Sequence, residues 1–389
     1  MIKFVSRPNI IYIIQLIIWN VLRKIEKTII SEVFYFDNSS LFSLLMFIGE
    51  FLAGLIISRY QKHSFTKKKV ILEPKGSLSL ELIQNEYKIT FHDKVVKLYL
   101  LIFFASFFDF VEFTLSVAYL TKFEKISGSL ESRLSGILTI SSALFFYYIL
   151  KLPIYRHQFL SVLIISICLV LIIGTEFIFQ GVNYFFDYGK FVGALAIIFL
   201  IHFYNSLIDS IEKYLFEYNS FNPFIVLMWE GVFGIIITLI YCSIDNYFNE
   251  LIGYFKSKTV GRFIGLILLL FLYIILSGGR NAFRVITNKV YSPIAKTLTD
   301  YLLNPLYIII DFSRGKDFLK GKDRNVLYFI LNLIFSFIIT ICGCVYNEFI
   351  VLFFCKLEYN THYEIAERSL SNMNVMIEME NNNDDNDDN

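Results

Sequence analysis

Charge is scarce in this chain. Only 18% of its 389 residues are Asp, Glu, Lys or Arg, against the quarter or so of an ordinary soluble domain. Hydrophobic residues reach 56% and the mean hydropathy is +0.58. A water-soluble globule of this size has too little polar material here to cover its surface. The net charge of +1 supplies no basic face, so nucleic acid is not an expected partner. The five cysteines (Cys168, Cys242, Cys342, Cys344, Cys355) lie in or beside apolar runs without a Cys-x-x-Cys pair. They read as small membrane-embedded hydrophobes, not as a disulfide framework or a zinc site. The five histidines show no metal-ligand spacing. No Gly-x-x-x-x-Gly-Lys-[Ser/Thr] loop is present, which argues against direct drive by nucleotide hydrolysis. Neither His-Glu-x-x-His nor Gly-x-Ser-x-Gly occurs, so an enzyme is not expected, and neither is a cofactor or a resident metal.

What the chain has instead is a succession of apolar stretches about 20 residues long, the length that crosses roughly 30 Å of hydrocarbon as a helix. Ten candidate spans fall at roughly 9–30, 40–58, 97–120, 133–151, 157–177, 189–211, 223–243, 262–282, 292–311 and 326–355. The expected fold is therefore an all-α integral membrane protein with ten transmembrane helices. Lys3 and Arg7 ahead of Ile10 also fit the start of a signal peptide, but no small-residue cleavage site follows. Residues 59–97 form the longest and most basic connection, centred on Lys67, Lys68 and Lys69, and the positive-inside rule places it in the cytosol. With ten crossings both termini are then cytosolic. The sequon at Asn38 falls on the far side and abuts a span. Beyond Cys355 the composition changes, and 356–389 is expected to be a disordered acidic Asn/Asp-rich tail.

The first half of the chain recurs in the second. Trp19-Asn20 followed by Ile25-Glu26-Lys27 is matched by Tyr204-Asn205 followed by Ile211-Glu212-Lys213. Leu45-Met46 with Gly49-Glu50-Phe51 is matched by Leu227-Met228 with Glu230-Gly231 and Phe233, and Ser135 to Ser142 by Ser292 to Thr299. Five spans is an odd number, so repeats over 1–181 and 182–355 must be inverted across the membrane. Secondary transporters use this arrangement to alternate access to a midplane site. Chance similarity within a small apolar alphabet is the alternative.

The same residues resemble the drug/metabolite transporter superfamily, EamA-like, and in particular its nucleotide-sugar-transporter-like solute carriers of the F-type orphan branch. The likeness rests on Met46 to Phe51, Asp109, Ser132 to Gly136, Glu212-Lys213-Tyr214 with Pro223, Trp229-Glu230-Gly231, Asp300 and Tyr346-Asn347. It runs in order from about Asn20 to Asn347. The resemblance implies ten helices in two inverted five-helix repeats, cytosolic termini, and an exchange or facilitated mechanism. Glu131-Ser-Arg133 departs from the uncharged, Gln-containing pattern of that branch, and no clear nucleotide-recognition motif is present.

Intramembrane charges are the candidate site residues, because each costs on the order of 2.5–3.5 kcal/mol at a helix centre unless paired, protonated or wet. Glu50, Asp109, Glu112 and Glu230 lie inside spans. Asp109 and Glu112 are three residues apart and share a helix face. They read as a coupling cluster or solute site, or as buried hydrogen-bond caps between helices. Arg133, Arg280, Arg284, Lys289 and Lys296 are the basic partners. Arg133 is the leading anion-binding candidate, with snorkelling to the interface as the alternative. Lys296 and Asp300, four apart, are expected to pair. Arg280, after the expected flexible break at Gly278-Gly279, reads as an interfacial anchor, with ligand contact as the alternative. Asn20, Lys289 and Asp300 complete the solute-binding or coupling set, and Glu26, Lys27, Glu212 and Lys213 form a candidate pair of gates. Pro223 is expected to open span seven, Pro305 to kink span nine, and His202 to be a core histidine.

The functional expectation is a secondary-active or facilitative carrier of a small polar or charged solute in an endomembrane (Golgi, ER or lysosome/vacuole), phosphorylated or nucleotide-linked metabolites leading. The expected partners are that solute, the lipid bilayer and a second copy of the chain. A non-transporting membrane adaptor on a transporter fold, working through 59–97, is the alternative.

Overall fold

The computed structural model describes residues 2–4, 10–36, 38–69, 81–120, 130–151, 154–180, 188–219, 221–244, 260–290, 293–313 and 326–353, with Leu357, Thr361, Glu364 and Arg368 beyond them. Its helices are α1 (Ile11–Phe34), α2 (Ser39–Lys69), α3 (Glu81–Thr114), α4 (Leu130–Arg133), α5 (Gly136–Tyr148) and α6 (Arg156–Gln180). They continue with α7 (Tyr188–Glu217), α8 (Pro223–Ile244), α9 (Val260–Val290), α10 (Pro293–Ser313) and α11 (Val326–Tyr346). A π-helical turn, Leu115–Tyr119, extends α3. Strands β1 (Ile2–Phe4) and β2 (Ile350–Leu352) pair antiparallel, with Lys3 opposite Val351, which holds the chain before α1 against the chain after α11.

Among the described residues six helices are long and apolar enough to cross a membrane: α2, α6, α7, α8, α9 and α11. Large apolar side chains point outward, Val170 68% exposed and Leu268 65%, while charged ones lie inside. That inversion of a soluble protein makes the chain an integral, multi-pass membrane protein. The other long helices differ in composition. α1 carries Arg23, Lys24, Glu26 and Lys27, and α3 carries Asp109 and Glu112. α5 is apolar but only 13 residues long, about 20 Å at the helical rise.

Local sequence explains several boundaries. Tyr35 turns left-handed at φ 51° and its N–H closes on Ile30 O, ending α1. Asn38 then caps α2, accepting from Leu41 N at 2.8 Å, so the sequon asparagine is occupied in the turn. Pro223 opens α8 as expected, with Asn222 accepting from Phe224 N at 2.9 Å. The span expected over 133–151 is instead broken: α4 ends at Arg133, two residues turn, and α5 begins at Gly136. α10 continues through Pro305. The 59–97 connection is largely helical, since α2 runs to Lys69 and α3 starts at Glu81. Cys168, Cys242, Cys342 and Cys344 are free thiols. Cys355, nearly all of 356–389, and the Lys67 to Lys69 side chains fall outside the described residues.

α2 lies at the centre, packed along α8 and α9. Glycine permits the approach. A Cβ on Gly49 would stand 2.5 Å from Ile274 O, one on Gly231 2.5 Å from Phe51 N, and one on Gly54 2.6 Å from Met228 N. Small residues at such crossings let two backbones touch where apolar burial gives no net drive. Around this centre α1 packs on α9, α3 on α7 and α8, α5 on α6 and α7, α6 on α11, and α10 on α11.

Candidate functional site

The site is built outward from α9. Its buried positions Tyr273, Ser277, Asn281, Arg284 and Asn288 are three or four residues apart and so lie on one helical face. Gly278 and Gly279 do not break this helix, contrary to the sequence expectation. They sit against neighbours, a Gly278 Cβ meeting Gly49 O at 2.6 Å and a Gly279 Cβ meeting the Trp19 ring at 2.6 Å. The pair therefore serves close packing, and the helix carries on to present Arg280 and Arg284 inward.

Arg284 joins four helices. Its Nη2 lies 2.9 Å from Glu212 Oε1 on α7 and donates to Glu230 Oε2 on α8 at 3.4 Å. Its Nη1 lies 4.0 Å from Asp109 Oδ2 on α3. Glu50 on α2 accepts from Asn281 Nδ2 at 2.5 Å, one turn before Arg284. Glu50, Asp109, Glu212, Glu230 and Arg284 are all buried. Ser106 on α3 donates to Glu230 O at 2.8 Å, fixing α3 to α8 beside the cluster.

Above this cluster lies a cavity of about 360 Å³. α1 lines it with Asn20, Arg23, Lys24 and Lys27, at positions i, i+3, i+4 and i+7 that form one helical stripe. α9 adds Arg280, whose Nε donates to Asn20 Oδ1 at 2.8 Å. Arg280 is thus an interior group and not the interfacial anchor expected from its position. Across the cavity stand Glu112, which accepts from Asn205 Nδ2 at 2.9 Å, and Glu131, 3.5 Å from Ser116 Oγ. Asp109, His202, Arg284 and Lys296 also contribute to the lining. One wall is cationic and the facing one carries carboxylates.

Beyond Arg284 toward the end of α9, polar side chains bond across the helices. Asn288 Nδ2 donates to Glu212 Oε2 at 2.7 Å and to Asp209 O at 3.1 Å. Lys213 Nζ donates to Asn288 O at 3.1 Å and Lys289 O at 3.3 Å, and pairs with Glu217 at 2.7 Å. Thr139 meets Thr297 at 3.3 Å and the Tyr301 hydroxyl, and Ser142 donates to Ser206 at 3.2 Å. Lys296, expected to pair with Asp300, has a described partner in Asp209. Its Nζ donates to both oxygens of Asp209 at 3.0 Å, because Asp209 faces it across the α7–α10 crossing with both oxygens available. The Asp300 side chain lies outside the described residues.

Of the residues singled out from sequence, Asp109, Glu212 and Glu230 converge on Arg284, with Glu50 bound beside it on Asn281. Asn20, Lys27, Asp109 and Glu112 line the cavity, and the Lys27 ammonium also lies 5.7 Å from the Phe42 ring centroid. Glu26 is buried on α1 next to that lining. Lys289 is an exposed residue in the last turn of α9, away from the cavity. Arg133 belongs to a separate buried network, bonded to Glu176 and 2.6 Å from the Tyr328 hydroxyl and 3.1 Å from Asn332 Oδ1. Its guanidinium is therefore already matched by an internal carboxylate and ties α4 to α6 and α11. Sequence reasoning named Arg284 only as one base among five and did not single out Asn281, Asn288, Asp209 or Glu176. The helical spacing of Asn281, Arg284 and Asn288, running on past the end of the 262–282 span, was the available signal for three of them.

No family model and no curated protein matches the chain. One solved crystal structure of a protein is similar at 9% identity with a TM-score of 0.45, over 86% of this chain and 96% of that one.

Proposed function

We propose that the chain is a secondary-active or facilitative carrier that moves a small polar or charged solute across an endomembrane by alternating access. The observation that carries this reading is the charged cavity of about 360 Å³ inside an otherwise apolar bundle. A membrane protein keeps ionisable groups at that depth where they serve a solute or ion pathway. The α1 wall of Arg23, Lys24 and Lys27 with Arg280 favours an anionic group on the solute. Guanidinium and ammonium groups capture phosphate and carboxylate well, so phosphorylated or nucleotide-linked metabolites lead.

In this reading α1 to α3, α4 with α5, and α6 to α11 make ten crossings in two inverted five-helix repeats of the drug/metabolite-transporter kind. The helix pairing supports it: α1 on α9 answers α3 on α7, α2 on α9 answers α8 on α3, while α2–α8 and α6–α11 are self-matched. Polar contacts follow the same correspondence, since Asn20 bonds Arg280 on α9 as its repeat partner Asn205 bonds Glu112 on α3. Glu212 and Lys213 then belong to the closed gate and Glu26 and Lys27 to the open one. The β1–β2 pair supports termini on one face, taken as cytosolic.

The test is exchange in proteoliposomes of purified protein with a panel of nucleotide sugars, nucleotides, sugar phosphates and organic cations, beside the Glu50→Gln and Arg23→Gln variants. Saturable uptake of one class, lost in a variant that remains folded, establishes the carrier. Absence of uptake of every class by well-folded protein rejects it in favour of an adaptor.

A further inference from the structure

Four carboxylates from four helices face one guanidinium at the floor of the cavity. Asp109 on α3, Glu212 on α7 and Glu230 on α8 stand 4.0, 2.9 and 3.4 Å from Arg284 nitrogens. Glu50 on α2 hangs from Asn281 on the same face of α9. The other described cations nearby have contacts of their own. Lys296 on α10 is held by both oxygens of Asp209 on α7, Lys213 on α7 is turned to Glu217 and to two carbonyls, and Arg280 on α9 reaches Asn20 and the cavity. Fully ionised, the cluster would set four negative charges around one guanidinium. Like carboxylates sharing a buried site do not all ionise; some keep their protons, and the site titrates as a unit.

A second observation picks out the groups that hold those protons. Glu50 Oε2 and Glu230 Oε1 are buried and, among the described residues, meet no hydrogen-bond partner; Glu212 Oε1 is in the same position but lies 2.9 Å from Arg284 Nη2. An ionised oxygen in that position would forfeit its solvation with nothing in return, whereas a carboxylic acid tolerates it. Asp109 and Arg284 also line the cavity, so the cluster borders its interior. Glu50 and Glu230 sit on the two helices that pack directly on each other at the centre of the bundle; Glu50 belongs to the first half of the chain and Arg284 to the second, so rocking of one half against the other would change the distance of Glu50 to Arg284, while Glu230 travels with Arg284.

We infer that this cluster is a proton-binding site, with Glu50 and Glu230 as its proton carriers, and that protons are the coupling ion of the carrier proposed above; the coupling half of this inference rests on that reading. The step balances simply: a carboxylate takes one proton to become a neutral acid and returns it to water when Arg284 closes on it. An anionic solute that draws on Arg284 leaves Glu230 less compensated, so solute and proton bind more tightly together than apart. Linkage is reciprocal, and the pair therefore moves in the same direction.

Two measurements test this on the full chain in lipid. Infrared difference spectra recorded between about pH 5 and about pH 9 are expected to contain a protonated-carboxyl band that titrates in that window and is lost in the Glu50→Gln, Glu230→Gln double variant. An imposed pH gradient is expected to drive accumulation of the exchanged solute by roughly tenfold per pH unit, and this response to the gradient is expected to be lost in the double variant. Melting and size-exclusion profiles establish that the variants fold, and each single variant stands in if the double does not. Absence of a titrating carboxyl band overturns the site whether or not solute moves. A titrating band with gradient-insensitive uptake overturns the coupling and leaves the carrier reading intact. A titrating band with no movement of any solute supports the proton site while the carrier reading, and coupling with it, fails.

Discussion

Arg284 and Glu212 form an ion pair of 2.9 Å between α9 and α7 in which both side chains are almost wholly withdrawn from solvent. A buried pair of this kind contributes little net stability over an apolar pair of similar shape, but breaking one side of it is expensive. Here the asymmetry is larger than usual, because the same guanidinium also faces Glu230 and Asp109. Arg284 is thus the group on which the cluster's folding depends.

Replacing Arg284 by Met is expected to destabilise the protein by about 3–5 kcal/mol, read as a fall in the melting temperature of purified protein in lipid. Adding Glu212→Gln and Glu230→Gln to that background removes two of the three carboxylates that face Arg284, leaving Asp109, and is expected to restore part of the loss. Equal melting temperatures for Arg284→Met and the triple variant would show that packing, not charge, sets the cost.

Glu212→Gln alone retains a side-chain oxygen for the Asn288 amide, 2.7 Å away, but gives up attraction to Arg284. Folding should persist and exchange should slow by about tenfold, the equivalent of roughly 1.4 kcal/mol, since the proposed closed gate loses a charged contact. Unchanged exchange would remove Glu212 from the gate.

Arg133 separates stability from solute binding. Arg133→Ala leaves Glu176 buried and unmatched, and a loss of about 3–5 kcal/mol is expected, largely recovered by Glu176→Gln. The folded fraction should bind solute with unaltered affinity. Arg23→Gln, on the cavity wall, should do the reverse: little change in melting, and an apparent KM for an anionic solute raised about tenfold.

Gly231→Val tests the central crossing. The added carbon would begin 2.5 Å from Phe51 N and 2.8 Å from Phe47 O, backbone atoms that cannot yield without moving α2. Overpacking of this sort costs about 1–3 kcal/mol or more, and aggregation in size-exclusion profiles is the expected readout. Gly174→Ala, with no atom near the added carbon, is the control and should behave as the parent.

Hydropathy locates most of the helices because burial in hydrocarbon imposes a minimum apolar length. It is blind to where a helix ends once it leaves lipid. α2 and α3 run on through Lys- and Glu-containing sequence that the spans at 40–58 and 97–120 exclude. It is equally blind to the break before Gly136, whose added Cβ would meet Ile165 Cγ2 at 2.9 Å, a tertiary contact that local sequence does not encode. Glu50, Asp109, Glu112 and Glu230 were visible as acids within apolar runs, whereas Glu176 and Asp209, also inside spans, were passed over. The partners of the charged groups were not visible. Lys296 has Asp300 one turn away in sequence but binds Asp209, and Arg133 at a span entrance finds Glu176. Ion pairs across helix interfaces depend on which faces meet, and periodicity within one span does not specify that.

The helix pairing also sets an order of events during synthesis. α1, α2 and α3 find their main packing partners in α7, α8 and α9, and Glu50 precedes its donor Asn281 by 231 residues. At about 5–20 residues per second, ribosomes take roughly ten to fifty seconds to supply that donor. Through that interval Glu50 and Asp109 are carried by helices with neither the Asn281 amide nor the Arg284 guanidinium yet made. The nascent first half must therefore wait in a protonated or water-accessible form, or under the cover of the insertion machinery, until α9 arrives and the interior can close around it.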